Sequence, residues 1–349
     1  MNSVKYLNFW TKVSNWEYWP FGVVYFPIFF YWLWLAVKAR SLFFFSAANP
    51  SIESGGMLGE SKYGILSRLP DEYTPRTLFI EIPAGVDAIL EKIQKNGITF
   101  PLIAKPDVGE RGWKVEKIHN QSELEAYVQQ MRVNFLIQEY VAYEIELGVF
   151  YYRFPSQTKG LISSIVMKDF LTLTGNGKST VQELILHHQR ARLQYEVLAE
   201  KYPALMEKIL PDDAKTTLVY IGNHCRGTKF VNANHLINDR LTEVFDKISS
   251  SVPGFHFGRY DIRCRSLEEL YKGKGIKILE LNGAGAEPGH IYDPEFPFLQ
   301  AYGVLFHHWR VLYQISKANY EKGTAYMSAR EAWQTVSKLR SNRKLMKET

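Results

Sequence analysis

Apolar positions along this chain recur with two periods, and each period predicts a different element. Alternating or continuous apolar runs, bounded by Gly, Pro or charged residues, predict strands at TPRTLFIEI, FPLIAKP, the end of GERGWKVEKI, FLIQEYV, GVFYYRF, LISSIVMKDFLTL, LVYIG, GRYDIRCR and GIKILELN. LFFFSAAN, just after Arg40, predicts one more short buried strand. Spacings of three and four predict helices at SKYGILSRL, SELEAYVQQM, STVQELILHHQRARLQYEVLAEKY and QAYGVLFHHWRVLYQISKANY. VDAILEKIQKNG is a helix closed by Gly97, and DRLTEVFDKISSSV one capped by Asn238 or Asp239. Strands and helices alternate irregularly, with hairpin-like strand pairs in the middle. That predicts an α+β fold in more than one layer, not a strict βαβ series.

One apolar run has neither period. No charge occurs between Glu17 and Lys38, and residues 18–37 would make about 30 Å of helix, one hydrocarbon thickness. Trp16 and Trp19 stand at one end as interfacial anchors do; Lys38 and Arg40 close the other. The stretch is expected to be a spanning or re-entrant membrane helix, kinked at Pro27. The alternatives are an in-plane anchor and a buried core or dimer helix. A late start, a high aromatic content, and Lys38 and Arg40 where small residues are expected make a cleavable signal peptide a poor reading.

With 349 residues, 46% of them hydrophobic, the chain can bury a large core and has room for about two domains. The expected division is an anchor (1–40), a small leading domain (41–100), a main domain (101–320) and a basic tail (321–349). Cys225 and Cys264 make no disulfide framework. A net charge of +6 suits nucleic acid, an anionic membrane or a polyanionic substrate. The basic residues are scattered and no nucleic-acid motif accompanies them, so no nucleic-acid partner is expected. From residue 328 on, the tail carries six basic residues and two acids, which reads as a solvated helix, or a membrane-facing one if the N-terminus is an anchor.

Several apparent motifs fail. TGNGKST has Thr172 where a phosphate loop needs glycine, and GAGAEPG has Pro288 where a dinucleotide loop needs its third glycine. His187–His188 and His307–His308 are adjacent on helices and face apart, unlike shared zinc ligands.

Three other features converge. Lys105 ends an apolar strand before VGERG, whose Gly109 and Gly112 leave backbone amides free to meet phosphate oxygens. LIQEYVAYEIELGVF passes from one strand through acids into another, a hinge suited to a nucleotide. Glu280 and Asn282 share one strand face and Asp261 lies on another strand; these are hard oxygen donors of the kind Mg²⁺ prefers. Arg259, two residues before Asp261, can steady charge on a transferring phosphoryl group.

In that order and spacing, residues 56–300 resemble the ATP-grasp carboxylate–amine ligases, most of all the D-alanine–D-alanine ligase and cyanophycin synthetase branches. The resemblance implies two α+β subdomains sandwiching ATP, with a reduced N-terminal domain and a preceding hydrophobic helix. It implies that Lys62 in GESK and Lys105 in IAKP bind phosphates, that residues Gln138, Glu139 and Val141 form the adenine hinge, and that Glu146 (or Glu144) meets the ribose. GRYD and ELN then supply Arg259 for catalysis and Asp261, Glu280 and Asn282 for Mg²⁺. The second substrate falls near Glu287 and Gly289, with Arg226 as a further substrate contact. The implied activity is ATP-dependent amide formation through an acyl phosphate, on an amino-acid-like or lipid-borne carboxylate and an amine. The hydrophobic segment would place it at the cytoplasmic face of a membrane, the inner membrane if bacterial, and a homo-oligomer is compatible with that. A nucleotide-binding scaffold without catalysis is the rival reading.

Overall fold

The computed structural model describes residues 2–109, 112–219, 222 and 227–345. Four strands, β1 (Thr77–Ile80), β2 (Leu102–Pro106), β3 (Glu116–Ile118) and β4 (Phe135–Glu139), form one sheet in the order β1–β4–β2–β3, every neighbour antiparallel. Its buried face is apolar at alternate positions such as Leu102 and Ala104. That face packs on the helices Val86–Lys95 and Gln121–Gln130 through Ile89, Ile93, Leu124 and Tyr127. β1, from the segment read as a leading domain, pairs with β4 beyond residue 100 and so shares this sheet.

β5 (Ile145–Tyr152) and β6 (Leu161–Asp169) begin a second sheet. β7 (Thr172–Thr174) and β8 (Lys215–Thr217) form a separate ribbon, and β9 (Lys229–Asn232), β10 (Phe257–Cys264) and β11 (Ile276–Asn282) complete the second sheet as β11–β10–β5–β6–β9. Leu147, Val149, Tyr260 and Ile262 face the helix Asp239–Ser250, which buries Leu241, Phe245 and Ile248 against them. Asn238, not Asp239, caps that helix by accepting from Leu241 N. The fold is thus α+β with two antiparallel sheets, as the irregular alternation predicted.

Four expected elements differ. Residues 18–37 do not form one helix: a turn at Trp16–Tyr18 leads to Phe21–Val24 and then to the 14-residue helix Phe26–Ala39, about 21 Å long. Proline lacks the N–H that would continue the ladder, so Pro20 and Pro27 sit at helix starts rather than inside one. Among the described residues, no helix is long and apolar enough to cross a membrane. Instead Ile28, Leu35 and Ala36 are buried against the long helix Phe298–Glu321, while Phe26, Phe29, Phe30, Trp34 and Val37 lie exposed on the other side.

LFFFSAAN is buried, but as the 3-10 turn Phe44–Ala48. Its carbonyls are met by side chains of the long helix, Ser316 Oγ donating to Phe44 O (2.6 Å) and Asn319 Nδ2 to Ala47 O (2.8 Å), so no partner strand is needed. The helix expected over STVQELILHHQRARLQYEVLAEKY is broken at His188, whose backbone is extended and whose Nδ1 accepts from Ala191 N (3.0 Å). Of the strand expected at LVYIG, Tyr220 and Ile221 lie outside the described residues, and β8 ends just upstream at Thr217.

Candidate active site

A cavity of about 1190 Å³ opens between the two sheets, lined by Ile103, Lys105 and Gln138 from the first and by Arg259, Asp261, Glu280 and Asn282 from the second. The sequence builds the second wall by register. In the antiparallel pair β10–β11, Arg259 stands opposite Asn282 and Asp261 opposite Glu280. Cross-strand partners share a face, and two-residue spacing keeps all four on it. The three proposed metal ligands are therefore brought together at one end of two adjacent strands.

Asp261 is the hub. Arg259 Nε and Nη2 donate to its Oδ1 (3.2 Å) and Oδ2 (3.1 Å), and Asn282 Nδ2 donates to Oδ2 (3.0 Å). Lys168 Nζ, on β6, lies 3.2 Å from Oδ1 and 3.1 Å from Glu146 Oε1. Burial alone would raise the Asp261 carboxyl, but Arg259 and Lys168 outweigh it and hold it at about 2. Lys168 escapes a reading of the sequence. The available signal was a lysine on the buried phase of LISSIVMKD, the phase of Ser164 and Val166. Gly148 leaves room for the cluster: a Cβ there would stand 3.2 Å from both Arg259 Cδ and Asp261 Oδ1.

The two lysines expected at the phosphates both line the cavity. Lys105 Nζ, buried at the end of β2, donates to Gln138 Oε1 and Leu279 O (3.0 Å each). Burial pulls its pKa down to about 8, and Lys62 opposes its charge further. Lys62 opens the short helix Lys62–Leu66, capped by Ser61 Oγ. Buried Asp107, another residue not foreseen, accepts from Ser61 Oγ (3.0 Å) and Tyr63 N (2.9 Å) and fixes this helix start. Lys62 Nζ donates to Gly109 O and lies 3.7 Å from Glu280. Gly112, with φ of 68°, closes the described part of the loop that Gly109 opens.

At the hinge, Gln138 is buried and ties β4 to Thr77 Oγ1 (2.9 Å), while Glu139 pairs with Arg76 (3.1 Å). Val141 O accepts from Arg263 Nη1 (2.6 Å). Glu146 lines the cavity and is held by Arg263 Nε (2.8 Å) as well as Lys168, whereas Glu144 is exposed. On the far side, Glu287 and Gly289 line the cavity beyond Arg259, whose Nη1 donates to Glu287 O (3.1 Å). The Glu287 carboxylate accepts from Tyr25 OH and from Tyr292 OH (3.0 Å). Arg226 lies outside the described residues.

The donor set suits a hard divalent cation. Asp261, Glu280 and Asn282 offer two carboxylates and an amide oxygen, and the Glu280 side chain is one-third exposed toward the cavity. Among the described residues no group of three His, Cys, Asp or Glu side chains is placed to hold a metal ion, so any site here needs the amide. His308 and His290 are not ligands in waiting: they are buried, bonded to Ser163 Oγ (2.9 Å) and Ser164 Oγ (2.7 Å), and burial lowers each to about 4.

No family model and no curated protein matches the chain. Solved structures similar to it include the VanG D-Ala:D-Ser ligase from Enterococcus faecalis, at 13% identity over 71% of this chain and 61% of that one, TM-score 0.41. They also include the D-alanine–D-alanine ligase from Bacillus anthracis (15%, 75% and 69%, 0.42) and a bifunctional glutathione synthetase from Pasteurella multocida (10%, 73% and 38%, 0.33). The chain spans less than two thirds of the first of these.

Proposed function

We propose that this protein is an ATP-dependent ligase that joins a carboxylate to an amine through an acyl phosphate, working at the cytoplasmic face of a membrane. The observation that carries the reading is the convergence of Lys62, Lys105 and Arg259 on the Asp261–Glu280–Asn282 patch inside one cavity.

The two lysines meet the phosphate oxygens of ATP, and the backbone amides of Gly109 and Gly112 add to them. Residues Gln138 to Val141 hold the adenine, with Glu146 below the ribose. Bound at Asp261, Glu280 and Asn282, Mg²⁺ would supply positive charge at the phosphates. Arg259 spans from Asp261 to the Glu287 loop and so stands where the phosphoryl group passes to the carboxylate. Lys105, buried, and Arg259, half-buried, act by position and charge. The amine, lying toward Glu287 and Gly289, gives a proton to the Glu287 carboxylate and, as the neutral nucleophile, displaces phosphate and forms the amide.

Association with a membrane is supported by the exposed aromatic side of the helix Phe26–Ala39 and by Tyr6, Phe9 and Trp10 on the first helix (Asn2–Ser14). Glu17 is the sole acid before Glu53, against Lys5, Lys12, Lys38 and Arg40, which favours an anionic surface. Such a helix would lie in the interface rather than cross it.

Turnover is tested by ADP release from the full chain with Mg²⁺ and ATP, screened over amino acids and lipid extracts, with products read by mass spectrometry for a condensed mass. ADP release dependent on both a carboxylate and an amine is expected. ATP binding without substrate-dependent release would leave only the scaffold.

A further inference from the structure

The side of the cavity beyond Arg259 is not walled by the two sheets alone. Trp16, Trp19, Phe21, Val24 and Tyr25, all from the N-terminal segment, line it together with Tyr292. The order is fixed by contacts: Arg259 reaches Glu287 O, the Glu287 carboxylate takes the hydroxyls of Tyr25 and Tyr292, and the Tyr292 ring packs 5.4 Å from Trp16. These aromatics are held in place. Arg190 Nη2 grips Glu17 at 2.8 and 3.0 Å, and Phe298 packs against both Trp16 (5.5 Å) and Trp19 (5.2 Å). Phe21 is nonetheless 55% exposed, so the wall keeps open apolar surface. At about 1190 Å³ the cavity exceeds the roughly 300–1,000 Å³ of a single small-molecule pocket, leaving room past a nucleotide.

We infer that the amine substrate is an amphiphile: its ammonium meets Glu287 and its apolar portion lies against Trp16, Trp19 and Phe21. The ammonium is fixed by a carboxylate that two tyrosines orient, and flat aromatic surface favours a ring or alkyl chain over a zwitterionic head. This rests on the ligase reading and narrows its second substrate. The apolar portion has two possible sources, a soluble amine or an amine-bearing lipid drawn from the bilayer.

The test is calorimetric binding to the full chain, with Mg²⁺ and a non-hydrolysable ATP analogue. Each methylene buried on the wall strengthens binding about fourfold. Hexylamine is therefore expected to bind at least about tenfold tighter than ethylamine, and hexanoate far more weakly than hexylamine. Trp16→Ala and, separately, Phe21→Ala should shrink the hexylamine-to-ethylamine ratio, and Glu287→Gln should weaken both amines alike. Affinity for the ATP analogue in the same samples reports whether the nucleotide side is folded. Its loss in the wild-type chain would strike the ligase reading, whereas the amine ratio reports on the wall alone. Equal affinity for the two amines, or a ratio untouched by both wall variants, overturns the inference. Phosphatidylcholine vesicles with and without phosphatidylethanolamine separate the sources. Amine-dependent retention lost on Glu287→Gln assigns a lipid; no such retention, with hexylamine preferred in solution, assigns a soluble amphiphile.

Discussion

Lys168 Nζ lies 3.2 Å from Asp261 Oδ1, linking β6 of the large sheet to the residue at the centre of the candidate metal patch. Its other partner is Glu146, so one buried ammonium serves two buried carboxylates. Removing one member of such a set leaves uncompensated charge in the interior. We expect Lys168→Met to lower unfolding stability by about 3–5 kcal/mol in urea titrations. Lys168→Arg should recover part of it. A change below about 1 kcal/mol would show that Arg259 and Arg263 suffice as counter-charges.

Glu280 presents the opposite case. Its side chain is one-third exposed and its ion pair with Lys62, at 3.7 Å, is loose. Such a pair contributes at most about 1 kcal/mol. Glu280→Ala should therefore keep the wild-type melting transition and lose turnover by at least about 10²-fold. Wild-type ADP release in this variant would remove Glu280 from the metal set.

On the proposed function, the burial of Lys105 would make nucleotide capture sensitive to pH. Its pKa is drawn down to about 8, below that of an exposed lysine. The cation is present below that value and lost as pH rises through it. Because kcat/KM reports the free enzyme, kcat/KM for ATP should fall above about pH 8. Lys105→Gln should be slow and flat across the same range. A wild-type profile flat to pH 9.5 would count against Lys105 as a phosphate contact.

The strands of the site were legible because alternation survives in GRYDIR, which is mostly buried, and in ILELN, which is half-buried. Two-residue spacing put Arg259 with Asp261 and Glu280 with Asn282, and the register of β10 and β11 joined the pairs. Lys168, Asp107 and Arg263 were not legible, since each earns its role through a partner far along the chain. The N-terminal segment misled for a local reason. Its composition suits a membrane span, but Pro20 and Pro27 divide it, and burial of Ile28, Leu35 and Ala36 ties it to the helix Phe298–Glu321. LFFFSAAN misled because an apolar run without a period fixes burial and not element type.

Asn49 sets the position of the glycine loop that follows Asn282, and its removal should show this. The residue is fully buried. Its Oδ1 accepts from His256 N (2.8 Å) and Phe257 N (2.9 Å), and its Nδ2 donates to Gly55 O and Phe257 O (2.8 Å each). Gly55 O and Gly56 O in turn accept from Ala284 N (2.9 Å) and Gly285 N (2.8 Å), and a Cβ on Gly56 would come within 2.6 Å of Gly283 Cα. One amide thus joins the start of β10 to the loop between the metal patch and Glu287. Asn49→Ala leaves several buried backbone groups unsatisfied, at about 1–3 kcal/mol for each, so a loss of at least about 3 kcal/mol is expected. Asn49→Asp keeps the shape and the acceptor but cannot donate to two carbonyls, and it should be no more stable than the alanine variant. Urea unfolding of the three proteins decides the matter: wild-type stability in Asn49→Asp would mean that the two donated bonds hold nothing in place.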